Sequence, residues 1–226
     1  MKTVVDANLF RLVYATVSRD DTRYYLNGVS IEPHPEQGAI MVSTDGHRML
    51  IAHDEDGHCE EKIIVKLPNY ALPLCKHKTM FGSSRRLEID HEEKGQAKIV
   101  LVKPSREEGG APEYEDLISC YNVLISGSFP DWRRVVPDLS QDTNSSIAAG
   151  FNTKYLKEFG QIGVDIAKTL GCTASFIMHK RSGLEPAIIR WLGASNIFAI
   201  LMATRIDERD GVLPSFMAAA PVPKAV

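Results

Sequence analysis

Thr22-Arg23-Tyr24-Tyr25-Leu26-Asn27-Gly28-Val29-Ser30-Ile31-Glu32 and, a few residues on, Ala39-Ile40-Met41-Val42-Ser43-Thr44-Asp45-Gly46-His47-Arg48-Met49-Leu50-Ile51-Ala52 are the stretches whose reading decides the fold. Both are apolar runs with alternating residues, so both read as strands. In the first, Tyr25, Asn27, Val29 and Ile31 share one face. In the second, Met41, Ser43 and Asp45 lie opposite Ile40, Val42 and Thr44. Residues 34–38 carry proline and glycine and read as the turn between the runs. Asp45-Gly46 marks a second, tight turn, and a further strand continues through Ala52. Polar Thr44, Asp45, His47 and Arg48 between two apolar strands set a cation and an imidazole at the edge of an apolar surface.

Working outward, residues 3–5 read as a short strand and 7–19 as a helix. Leu9, Phe10, Val13, Tyr14 and Val17 form one stripe, and Asp6 or Asn8 can cap the helix. The order strand, helix, strands then repeats. Residues 62–67 read as a strand, and 68–80 as a helix with Pro73 in its first turn, where a missing N–H matters least. Strands follow at 87–90, 97–103 and 117–126, with a charged, Gly/Pro-rich loop at 104–116. A polar linker spans 138–146. A third unit starts at Ile147. Asn152 caps a helix that runs to Leu170, with Tyr155, Leu156, Phe159, Ile162 and Ile166 on one side and Gly171 as its stop. Strands at 173–179, 186–192 and 197–206 complete that unit. Residues 207–226 turn charged and then Ala/Pro-rich and read as a flexible tail. The fold class is α+β, one strand–helix–strands pattern three times over, with negligible identity between copies.

The chain has 226 residues, enough for a substantial core. A net charge of −3 leaves any nucleic-acid surface to a local patch. Cys59, Cys75, Cys120 and Cys172 are far apart in sequence, which points to reduced thiols and a cytoplasmic location. The N-terminus has no signal-peptide pattern, and no apolar run reaches membrane-spanning length. A phosphate loop of the Gly-x-x-x-x-Gly-Lys kind and a Gly-x-Ser-x-Gly elbow are both missing from the sequence. No nucleophile with a plausible base stands out, so the chain reads as a non-enzyme without cofactor.

Arg23-Tyr24-Tyr25-Leu26-Asn27-Gly28 followed by Thr44-Asp45-Gly46-His47-Arg48 resembles the middle domain of the bacterial DNA polymerase III beta subunit, the sliding clamp. Phe129-Pro130-Asp131-Trp132-Arg133-Arg134-Val135-Val136-Pro137 resembles the end of that domain. Gly150-Phe151-Asn152-Thr153-Lys154-Tyr155-Leu156 and Ile200-Leu201-Met202-Ala203-Thr204-Arg205-Ile206 resemble parts of the family's last domain. The resemblance implies the DNA-clamp fold, with antiparallel sheets outside and helices on one face. It implies a complete clamp domain over 1–137 and, over 147–206, the second half of another. The family's first domain and the first half of its last have no counterpart here.

The resemblance also implies a cleft in which linear motifs of DNA polymerase and other replication proteins dock. The matching positions are Arg23, Tyr25, Thr44, His47, Arg48, Met49, Pro137, Asn152, Tyr155, Ile200, Leu201, Met202, Ala203, Thr204 and Arg205. Met49, Ile200, Leu201 and Met202 would bury a ligand's apolar side chains, each worth roughly 1.5–3 kcal/mol. The competing reading is that these residues are core. Met49, Ala203 and Thr204 depart from the Leu, Pro and Met common in the family.

A second implied surface faces double-stranded DNA, through phosphate contacts that carry little sequence information. Its candidates are Arg11, Arg19, Tyr24, Lys76, Lys78, Lys154, Lys157 and Lys168. The last three, with Gln161, share one helical face, although a lysine-bearing face can equally be plain solvent surface. Arg133 and Arg134 can alternatively pair with Asp131. Metal-ligand residue types crowd Asp45, His47, His53, Asp54, Asp56, His58 and Cys59, without a familiar ligand spacing.

Together these readings predict a processivity factor, with a shortened regulator or decoy that binds clamp-seeking peptides or a clamp as the alternative. Sheet edges left open by the half-domain predict a homo-oligomer. Four copies would supply the units of a clamp ring.

Overall fold

The computed structural model describes residues 1–76, 83–92, 95–105, 107, 109–136, 149–180 and 185–205. His77, Lys78, Pro137, Ile147 and Ile206, the linker at 138–146 and the tail at 207–226 lie outside the described residues.

The first unit is β1 (Lys2–Asp6), α1 (Ala7–Val13), β2 (Val29–Pro33), β3 (Ala39–Thr44) and β4 (Arg48–Asp54). The second is β5 (Ile63–Val65), α2 (Leu72–Cys75), β6 (Ser84–Asp90), β7 (Gln96–Lys103) and β8 (Glu113–Tyr121). The third is α3 (Thr153–Leu170), β9 (Phe176–His179), β10 (Ala187–Trp191) and β11 (Ile197–Leu201). All strand pairs are antiparallel, in sheets ordered β1-β6-β7-β8 and β5-β2-β3-β4-β11-β10-β9. The first two units exchange their leading strands: β1 pairs with β6, and β5 pairs with β2. The third unit joins the long sheet through β11 on β4, with Ile200 opposite Met49.

β3 is buried along its whole length. Met41, Leu50 and Ala52 point into a core shared with Phe10, Val13, Phe159 and Ile166 of α1 and α3. Ile40, Val42, Met49, Ile51 and Ile200 point the other way, against Leu26, Phe129 and Trp132. A sheet covered on both faces needs apolar residues at nearly every position, which is why these strands read as continuous apolar runs. The outer cover is pinned by Glu32, a buried carboxylate that accepts from Trp132 Nε1 at 3.2 Å and pairs with Arg133 at 2.7 Å and Lys62 at 3.4 Å. Arg134 pairs with Asp131 as expected, but Arg133 goes to Glu32 and stacks over Trp132.

Several boundaries differ from the sequence reading. Residues 21–26 form a 3-10 turn rather than a strand, because Asp20 accepts from Thr22 N and pairs with Arg23. Tyr25 therefore does not share a strand face with Val29 and Ile31. The first helix ends at Val13 and tightens into a 3-10 turn over Tyr14–Thr16. There the Thr16 hydroxyl bonds to Val13 O and Ser43. Asp6, not Asn8, caps it by accepting from Leu9 N at 2.8 Å. β8 begins at Glu113, inside the stretch read as loop, with Asp116 and Glu115 paired to Lys98 and Lys103 of β7. The third helix matches its reading at both ends: Asn152 caps it, and Gly171 stops it at φ 67°.

Candidate protein-binding and nucleic-acid faces

The seam between β4 and β11 brings three pieces of chain together. The first is the β3–β4 turn. Asp45 Oδ1 accepts from His47 N at 2.9 Å and Arg48 N at 3.1 Å. The Thr44 hydroxyl bonds Arg48 O at 2.8 Å and accepts from Gly46 N at 3.0 Å. This bonding fixes the turn locally. Gly46 sits at φ 90°, and a Cβ there would lie 2.9 Å from the Arg23 guanidinium. Arg23 thus caps the turn from outside while paired to Asp20.

The second piece is the start of α3. Arg48 is almost fully buried, bonded to Asp45 at 3.1 Å and to Glu158, and stacked 4.6 Å from the centre of the Tyr155 ring. Glu158 escaped the sequence reading; its signal was its position one helical turn after Tyr155. His47 is exposed, its ring centre 6.2 Å from that of Tyr155.

The third piece is the end of β11. Met202 N donates to His47 O at 3.0 Å, and Thr204 N donates to Gly150 O at 2.8 Å. Met202 is exposed, whereas Ile200, Leu201 and Met49 are buried in the core. Exposed Asn152, half-buried Ala203 and exposed Thr204 and Arg205 border the same spot. Of the four apolar walls expected, then, Met202 alone is exposed and the other three act as packing, while Tyr155 is half-buried against the core. Half-buried Tyr25 stands T-shaped against exposed Tyr24, 5.8 Å between ring centres.

On the helix side lies a hollow of about 890 Å³ between α1, the β3–β4 turn and the start of α3. Arg19, Lys66 and Lys154 line it. Lys66 was not among the sequence candidates; it follows directly on β5, where its basic side chain was visible as an exposed position in an apolar run. Lys154, Lys157, Gln161 and Lys168 are all exposed on one face of α3. Arg11 and Lys76 are engaged differently. Both reach Asp165 of α3, at 3.0 and 3.5 Å, and so tie the helices together. Burial alone would raise the Asp165 carboxyl, but the hydrogen bond and charge of Arg11, then Lys76, outweigh it and hold it below its ordinary value.

The crowded His/Asp/Cys residues are spread over separate bonds. Asp54 accepts from Asp6 N and pairs with Arg86, His53 bonds Gln37 O and stacks on His34, and Cys59 bonds Glu61 O. Among the described residues no three such side chains are grouped to hold a metal ion, and no helix there is long and apolar enough to cross a membrane.

Residues 2–103 match the family model described as DNA polymerase III beta subunit, central domain. The beta sliding clamp of Caulobacter vibrioides is 33% identical over 145 residues, covering 60% of this chain and 34% of that clamp. That of Escherichia coli K12 is 28% identical over 141 residues, covering 60% of this chain and 33% of its own length. The chain thus spans about a third of the length of the curated relatives it matches. The solved DNA polymerase III beta subunit of Borrelia burgdorferi, in complex with a natural product, superposes with a TM-score of 0.60 at 16% identity, over 92% of this chain and 65% of that one. The Bartonella birtlesii sliding clamp bound to griselimycin gives 0.57 at 19%, over 91% and 66%. At such identities the likeness establishes the fold, which is that of the sliding clamps.

Proposed function

We propose, from the match of residues 2–103 to the family model described as DNA polymerase III beta subunit, central domain, that this chain is a non-enzymatic, clamp-like processivity factor. It tethers DNA polymerase and other replication or repair proteins to double-stranded DNA in the cytoplasm, as part of a homo-oligomer. The observation that carries this reading is the meeting of His47, Tyr155 and Met202 at the β4·β11 seam. An exposed thioether and two rings offer apolar and aromatic contact, and the rim supplies Arg23, Asn152 and Arg205 for a peptide backbone. The exposed lysines of α3 supply phosphate contacts without sequence preference.

The test is a fluorescence-polarisation titration with a labelled peptide of the Gln-Leu-x-Leu-Phe type. Saturable binding that Met202→Asp abolishes is expected; equal binding by both proteins would reject the seam as the site. A second reading, a shortened regulator or decoy, is favoured by one observation. Among the described residues β8 and β9 are both terminal strands, so the described part of a single copy forms no closed ring. Reversing Lys154, Lys157 and Lys168 to Glu separates the two: a processivity factor loses DNA-dependent polymerase stimulation, and a decoy keeps its peptide binding and has no such activity to lose.

A further inference from the structure

Units one and two complete each other. β1 crosses to β6, with Val4 opposite Glu88, and β5 crosses to β2, with Val65 opposite Val29. Each leading strand also makes one isolated antiparallel bridge to the end of its own unit, Val4 to His58 and Val65 to Leu124. A third bridge joins Gly150 to Thr204. Val4 and Gly150 each stand two residues before the side chain that caps the next helix, Asp6 and Asn152. Gly150 therefore occupies the place of Val4, and β9 the place of β2 and β6. β2 and β6 each receive a leading strand; among the described residues β9 ends its sheet without one.

β9 itself carries two exposed apolar side chains, Phe176 and Ile177, each 40% exposed. On α3, Leu156, Gly160 and Val164 repeat at i, i+4, i+8 and are half-buried. A Cβ on Gly163 would lie 2.7 Å from Trp191 Nε1, so packing within the chain accounts for that glycine. A Cβ on Gly160 would meet nothing within 4 Å. Glycine inside a helix is destabilising, and no contact among the described residues accounts for this one.

We propose that a second copy of this chain covers this flank, by a two-fold pairing of third units. Each copy's leading segment at Gly150 adds to the other's β9, continuing the sheet that already crosses between units at β4 and β11. The two α3 helices lie side by side over Leu156, Gly160 and Val164, as α1 and α2 do within one chain, and Gly160 lets the backbones approach. A two-fold axis follows because one unit supplies both the added strand and the edge that receives it. Two half-domains thereby make one whole, giving an arc of six units with β8 at either end. Lys157 and Lys168 flank the stripe on both copies, so screening by salt strengthens the pairing. The pairing rests on the fold alone and stands whether or not the seam binds peptides.

Sedimentation of the full chain over a concentration series tests it. The expected particle is a dimer of the 25.0 kDa chain, tightened by salt and converted to monomer by Gly160→Arg without a change in circular dichroism. Tyr121→Glu, on the β8 edge, leaves it a dimer. In a Cys172→Ser background, Gly160→Cys acquires an interchain disulfide on mild oxidation. A monomer at every concentration, a dimer indifferent to Gly160→Arg, or failure of the Gly160→Cys variant to cross-link overturns the proposal. Should Gly160→Arg disturb the fold, the cross-link alone decides. Loss of peptide binding with the dimer intact would count against the seam, not against the pairing.

Discussion

The guanidinium carbon of Arg48 lies over the ring of Tyr155, 4.6 Å from its centre, while its nitrogens bond Asp45 and Glu158. One side chain thus fastens the β3–β4 turn to the third unit. Arg48→Ala is expected to destabilise the protein by about 2 kcal/mol, typical of a charged hydrogen bond, and to lower Tm by about 4–8 °C in a chain of this size. Arg48→Lys keeps the charge but not the planar fork and recovers only part of this. A double-mutant cycle with Tyr155→Ala should return a coupling of about 0.5–2 kcal/mol. Additive effects would mean the stack contributes nothing.

Asp165 gives a pH signature. Its carboxyl is held down by Arg11 and Lys76 against the effect of burial. A depressed folded value means the stabilisation is complete above the unfolded value of about 3.9 and is lost as pH falls through the folded one. Asp165→Asn should therefore destabilise by about 1–2 kcal/mol at neutral pH, and the gap should close in acid, where the native carboxyl is itself neutral. Urea titrations of both proteins at neutral and strongly acid pH make the comparison. A gap that persists in acid would assign the loss to shape rather than charge.

The four thiols should separate cleanly. Cys59, Cys75 and Cys120 are buried and Cys172 is exposed. Burial raises the first three, Cys75 to about 12, and a thiol is a poor nucleophile until it ionises. Timed alkylation of the native protein followed by peptide mapping is expected to label Cys172 first and the others only on unfolding. Early labelling of Cys75 would show that α2 opens in the native state.

What the sequence disclosed depended on whether the deciding interaction was local. α3 was readable to the residue because its cap, stripe and stop all lie within it. The 3-10 turn at 21–26 was missed because Tyr24, Tyr25 and Leu26 favour a strand, while Asp20, just outside the run, turns the chain through Thr22 and Arg23. β8 was cut short because Glu115 and Asp116 look like loop residues until Lys103 and Lys98 stand beside them. At the seam, identities alone could not sort Met202 from Ile200 and Leu201. Alternation places the side chains of Ile200 and Leu201 on opposite faces of the sheet, and the cover of Phe129 and Trp132 decides that the Ile200 face is closed as well.

Gly46 carries the last prediction. At φ 90° it occupies a conformation that glycine adopts freely and other residues do not. Among the described residues, chain neighbours aside, the atoms its missing Cβ would meet within 4 Å belong to the Arg23 side chain, the nearest at 2.9 Å. That side chain is flexible and can move aside, so the backbone term dominates and Gly46→Ala should destabilise by about 1–2 kcal/mol. Displacing Arg23 would also break its pairing with Asp20 and uncover the turn that carries His47. The variant is thus expected to bind the peptide probe more weakly even below its melting point. Arg23→Ala separates the two effects: it should weaken the peptide similarly with little change in stability. If Gly46→Ala melts early but binds the probe as the parent does, Arg23 has no part in peptide capture.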